Sequence, residues 1–300
     1  MTTHAPSALH DGSVELVLDA RAELGEGPVW DTRAGVLVWV DILAGHVHRY
    51  DPATGADLVA EVGQPVGAVG LRESGGLVLA VRDGFALLDE DEPAPRLVAA
   101  VEREDPETRM NDGEVDPAGR FWAGTMELGG ALGRGSLYRL DPGGTVARVL
   151  ADVSISNGLG WSPDERTLYY IDSPKQRVDA YDYDRSSGAI AKRRTVVEIE
   201  AADGLPDGLT VDAEGFLWVA LWGGSTVRRY APDGRVDHVV ELPVSQVTSC
   251  AFGGSDLAEL YLTSAWAGLD ERQHQAEPAA GGLFRLHPGV RGLPARWFAG

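Results

Sequence analysis

PDGLTVDAEGFLWVALW, residues 206–222, consists of two apolar runs joined by an Asp-Ala-Glu-Gly turn at 212–215. A Pro-Asp-Gly turn opens the first run, and the second, Phe216 to Trp222, mixes aromatic and aliphatic side chains. Two strand-like runs joined by a tight glycine-containing turn read as a β-hairpin. The acidic residue at its head, Asp207, is the position the reading singles out for function.

Variants of this hairpin recur in both directions. Glu26–Asp31 is followed by Val36–Asp41, and a degenerate copy, Val66–Leu71, by Leu77–Val81. Asn111–Asp116 leads to Phe121–Gly124, Asn157–Ser162 to Leu168–Asp172, and Ser249–Gly254 to Leu260–Ser264. The copies start at 26, 66, 111, 157, 207 and 249, a period in the mid-forties. Such a period, with several strands per repeat, is expected for propeller blades of four strands each. The spacing therefore predicts an all-β, six-bladed β-propeller, its four-stranded antiparallel blades set around a central channel; that the channel is metal-containing is an expectation from the residues at its mouth. Val14–Leu18 precedes the first copy and is expected to supply the outer strand of the last blade. Residues 1–12 read as a flexible N-terminal tail, and 13–300 as a single propeller domain.

Composition agrees with many short strands and turns, since 38 glycines and 17 prolines are spread along 300 residues. A net charge of −20 argues against a nucleic-acid partner, because phosphate binding needs clustered Lys and Arg. Cys250 is the single cysteine, so no intrachain disulfide forms, which suits a reducing compartment. The N-terminus lacks the basic and apolar regions of a signal peptide, and no apolar run approaches the roughly 20 residues needed to span a bilayer. A cytoplasmic protein without a membrane partner, monomeric or weakly oligomeric, is expected.

In a propeller the innermost strands line the channel, so equivalent residues of successive blades converge. The heads of the six copies read Glu26, Val66, Asn111, Asn157, Asp207 and Ser249. Taken singly, Asn and Asp before a strand are ordinary turn formers. As a column, two carboxylates at one mouth repel unless a cation sits between them. Oxygen donors without Cys or clustered His suit Ca²⁺, Mg²⁺ or Mn²⁺, and Zn²⁺ also accepts carboxylates. Arg109 lies two residues before Asn111 and faces the same mouth if the segment is extended; the competing reading is a surface arginine among Glu102, Glu104, Asp105 and Glu107. The tryptophans at hairpin positions read as blade packing, with Trp222 standing open between packing and site. Ser156 and Ser249 have no His and Asp arrangement for a triad, and 129–135 lacks the Walker Lys.

LGEGPVWD at 24–31, RMNDGEVDPAGRFWAGTM at 109–126, SNGLGWSPDERTLYYIDS at 156–173 and PDGLTVDAEGFLWVALWGG at 206–224 carry a family resemblance. With VTSCAFGG at 247–254 they resemble, in order, the senescence marker protein-30, gluconolactonase and luciferin-regenerating family. The resemblance implies a six-bladed propeller with one divalent metal and hydrolysis of sugar lactones. It implies Glu26, Asn157 and Asp207 as metal ligands and Arg109 and Asn111 as substrate contacts. An acidic substrate contact of animal members falls near Glu127 but is displaced here, which bears on the choice of sugar.

Three functions compete on this reading. The first is a metal-dependent lactonase acting on an aldonolactone, with Asp207 as general base, Arg109 assisting the oxyanion and the metal as Lewis acid. The others are a related hydrolase of organophosphates or non-sugar lactones, and a non-catalytic calcium-binding propeller. A site of cation, arginine and amides, with no evident large apolar pocket, is expected to favour polyhydroxylated rings over long acyl lactones.

Overall fold

A computed structural model describes residues 13–90 and 92–300; the segment read as a tail, 1–12, lies outside the described residues. Each repeat folds as one antiparallel sheet, and six sheets stand around a common channel. The first blade runs Gly25–Asp31, Val36–Asp41, His46–Asp51 and Ala56–Glu61 from the channel outward. The other innermost strands are Val66–Arg72, Thr108–Val115, Ser156–Trp161, Leu205–Val211 and Val247–Gly253. In the sixth blade the outer strand is Glu15–Leu18, paired antiparallel with Leu283–Leu286, so the N-terminal strand closes the ring as expected.

The opening hairpin shows why these residues make this unit. Asp212 accepts from the backbone N–H groups of Glu214 and Phe216 at 2.9 and 3.0 Å, which holds the turn shut. Gly215 completes that turn at φ 85°, a backbone region that disfavours side chains. The second carboxylate oxygen of Asp212 accepts from Trp218 Nε1 at 3.0 Å, pinning the indole in the sheet interface. Asp116 and Trp122 repeat the device at 2.9 Å two blades earlier.

The core is six layers, one between each pair of neighbouring blades. Between the fifth and sixth blades, Trp218, Val227, Phe252, Leu260 and Phe284 pack together. The ring-closing layer joins Trp30, Leu37, Trp39 and Tyr50 of the first blade to Tyr261 and Leu283 of the sixth. Strands buried on both faces read as continuous apolar runs, which is why Leu77–Val81 is buried at every position.

The second blade departs from the four-stranded expectation. Trp297–Phe298 adds a fifth, parallel strand beside its innermost strand. This strand belongs to a C-terminal segment that crosses the end of the channel formed by the hairpin turns. Ala213 donates to Arg291, Gly292 to Leu257 and Ala299 to Gly119, so the segment is tied to three different blades. The periodicity is silent about it because it repeats nothing. Among the described residues no helix is long and apolar enough to cross a membrane.

Candidate metal and substrate site

All six innermost strands carry a register irregularity near the head of the strand. In the first, third and fifth blades it falls between Glu26 and Val29, Met110 and Gly113, and Pro206 and Leu209. In the second, fourth and sixth it falls between Val66 and Ala68, Asn157 and Leu159, and Val247 and Ser249. A bulge re-aims side chains out of the strand's strict alternation. Here it directs polar side chains from consecutive blades into the channel mouth.

Glu26, Arg109, Asn111, Asn157 and Asp207 line one cavity of about 180 Å³. Arg109 is buried, so the surface-arginine reading fails. Ser249 does not join this group. It lines a smaller space of about 30 Å³ together with Asp112, Gly113 and Thr210. Glu127 is not among the lining residues either: its carboxylate accepts from the Ala131 N–H at 2.8 Å, shaping the loop that follows. Trp222, open at the level of sequence, does line the cavity.

A chain of side-chain bonds fixes the amides. Arg109 donates to Asn111 Oδ1 at 2.7 Å, and Asn111 Nδ2 donates to Asn157 Oδ1 at 2.9 Å and to the Ser156 carbonyl at 2.8 Å. Asn157 Nδ2 in turn donates to Ser173 Oγ at 2.8 Å. Two further acids hold the backbone leading into the site. Asp41 accepts from the N–H groups of Glu23 and Leu24, and Asp172 from those of Ser154 and Ile155. Each anchors the two or three residues ahead of a site side chain, Glu26 in one case and Asn157 in the other.

The electrostatics are unfavourable without a further charge. Burial, then the neighbouring Asp207 and Asp112, push the Glu26 carboxyl well above the carboxylate range. Burial and Asp112 do the same to Asp207. Asp112 is pushed up to about 7, chiefly by burial. Arg109, pulled down to about 10 by burial, is held up by Glu26 and Asp207. Asp112 was missed by sequence reasoning because strict alternation turns neighbours Asn111 and Asp112 to opposite faces, whereas the bulge gives both to the channel.

These residues fit a divalent cation. When Glu26, Asp112 and Asp207 are ionised, one guanidinium leaves two negative charges uncompensated. Against burial and Asp112, the charge that favours the ionised Asp207 is Arg109. Among the described residues no three His, Cys, Asp or Glu surround a common point, and the two acids share the cavity with the amides of Asn111 and Asn157. Two carboxylates and an oriented amide make an oxygen-only set suited to a hard cation.

Fold and site together define a six-bladed propeller with an oxygen-lined pocket at one mouth of its channel. Residues 24–266 match the SMP-30/Gluconolactonase/LRE-like region, and the chain belongs to that family. Regucalcin of Xenopus laevis is 43% identical over 294 residues, covering 96% of this chain and 98% of that protein. The crystal structure of a calcium-binding protein, regucalcin, from Agrobacterium tumefaciens superposes with a TM-score of 0.92 at 32% identity, covering 96% of this chain and 97% of that one. A gluconolactonase from Xanthomonas campestris gives 0.74 at 26% identity, covering 93% and 90%.

Proposed function

We propose that the protein hydrolyses the ring ester of a sugar lactone, an aldonolactone, in a reaction that depends on a divalent cation held by Glu26, Asn157 and Asp207. The observation that carries the reading is the pairing of excess buried negative charge with Arg109, whose buried Nε–H has no partner among the described residues. The relatedness to a gluconolactonase supports the reaction class, and a relative described as calcium-binding supports the cation. Oxygen-only donors favour Ca²⁺, Mg²⁺ or Mn²⁺, and Zn²⁺ completes the set to be tested.

When bound, the cation supplies Lewis-acid polarisation of the lactone carbonyl. The chain's own residues do the rest. Asp207 takes a proton from the attacking water as its oxygen bonds to the carbonyl carbon. The Arg109 guanidinium donates to the oxygen on which negative charge develops. The ring C–O bond then breaks, and the ring oxygen leaves as a hydroxyl carrying the proton returned by Asp207. Asn111 keeps Arg109 and Asn157 in register, and calcium binding without catalysis leaves the Arg109 donor unused. The partner is a small molecule. The buried, unpaired Cys250 suits a reducing, cytoplasmic setting.

The test is an assay of hexono- and pentonolactones on protein stripped of metal, with removal verified by elemental analysis. Activity is expected to vanish on chelation and return with one of the four ions. Full turnover in metal-free protein, or no lactone hydrolysed with any ion, overturns the proposal.

A further inference from the structure

The walls of the cavity differ in chemistry from its floor. Leu24, Met126, Ile155, Leu205, Pro206 and Trp222 form a collar around the polar side chains. All but Pro206 are only half-buried, so an apolar ring faces the opening. The loop after Met126 extends this character outward, with Leu128 and Leu132 exposed at 55% and 70%. Exposed apolar surface gathered in one place marks a binding surface more often than chance. This is the apolar wall that the sequence did not reveal.

The floor, meanwhile, has few hydrogen bonds left to offer a sugar. Both Asn111 donors and the Asn157 amide are engaged within the protein, and Arg109 Nη1 donates to the Met110 carbonyl and to Asn111 Oδ1. With the two carboxylates given to the cation, the remaining polar capacity is the free Arg109 donors and the Ser173 hydroxyl, enough for an ester group and one hydroxyl beside it. A hydroxyl turned to the collar loses its water and gains no partner, whereas a methyl there is stabilised by burial. The cavity of about 180 Å³ is small, which suits a single ring with a short substituent.

We infer that the substrate is a sugar lactone bare along one edge: a deoxyaldonolactone, with methyl or hydrogen where the parent sugar bears hydroxymethyl or hydroxyl. The inference rests on the lactonase reading and narrows its substrate class. Hydrophobic walls discriminate against one added hydroxyl by about 10- to 100-fold.

The experiment uses metal-loaded protein and pairs of lactones differing by one hydroxyl, followed by acid release at constant pH. The pairs are mannono- against 6-deoxymannono-, galactono- against 6-deoxygalactono-, and glucono- against 2-deoxygluconolactone. In at least one pair the deoxy member is expected to have kcat/KM about tenfold higher or more. Parent lactones equal or better in every pair overturn the inference and leave the lactonase reading standing; no turnover of any lactone overturns both. Met126→Gln and Leu205→Asn are expected to reduce the preference to within about threefold, a loss of collar burial. Because each ratio is taken on one sample, it is independent of the folded fraction. A ratio unchanged in both variants shows that the collar does not set specificity and overturns the inference.

Discussion

The side-chain amide of Asn111 donates to the side-chain oxygen of Asn157 at 2.9 Å, across the boundary between the third and fourth blades and 46 residues of chain. The bond orients a candidate ligand from a neighbouring blade, and it ties Arg109 to the same network. Asn111 is therefore an outer partner of the cation site as well as a wall of the cavity.

Removing that partner gives the first prediction. Asn111→Ala leaves Glu26, Asn157 and Asp207 in place but removes the donor to Asn157 Oδ1, leaving Ser173 as the partner of that side chain. Cation affinity measured by titration calorimetry is expected to weaken about 10- to 100-fold. Affinity equal to that of the parent protein means that Ser173 alone orients Asn157.

Charge and shape separate in a second pair of variants. Asp207→Asn keeps the size of the side chain but removes the base and one anion, so turnover falls by about 10²- to 10⁴-fold with the melting curve retained. Arg109→Ala removes no candidate ligand. It is expected to keep the cation while kcat/KM falls about 10²- to 10³-fold. Loss of bound cation in Arg109→Ala contradicts this division of labour.

The acids make the metal-free protein sensitive to pH. Asp112 titrates at about 7 in the fold, and an unfolded aspartate near about 3.9. Between these values the folded form binds more protons than the unfolded one, so stability present at low pH is lost as pH rises through about 7. Melting temperatures of chelated protein are expected to be higher at pH 5 than at pH 8. Asp112→Asn should reduce the difference without abolishing it, since Glu26 and Asp207 are raised as well, and saturating Ca²⁺, which offsets the repulsion, should flatten it. A slope that survives both changes arises elsewhere in the chain.

The turn device predicts a stability effect far from the site. Asp212 is fully buried and accepts from two backbone N–H groups, from Trp218 Nε1 and from Arg229 Nε. Asp212→Ala is expected to cost at least about 1–3 kcal/mol in urea unfolding, since an indole N–H and two backbone N–H groups lose their acceptor while Arg229 keeps Asp237 and Glu214. A cost under about 1 kcal/mol, that of an ordinary exposed pair, rules out this role.

Much of the molecule was legible in its residues. The hairpin at 206–222 recurs with a period in the mid-forties, and periodic apolar runs with turn residues between them are local features. They specified six blades, the closing role of the strand at 15–18, and the convergence of Glu26, Asn157 and Asp207. Non-local contacts settled the remainder. Strand alternation hides Asp112 behind Asn111, and only the bulge, a matter of pairing register, delivers both to the channel. The C-terminal segment repeats nothing, so its crossing of the channel end follows from bonds to three blades at once. The same holds for the collar: nothing local marks Leu24, Met126, Ile155 or Leu205, and Trp222 stood open, yet ring closure sets the ends of four blades around one opening and makes them one wall.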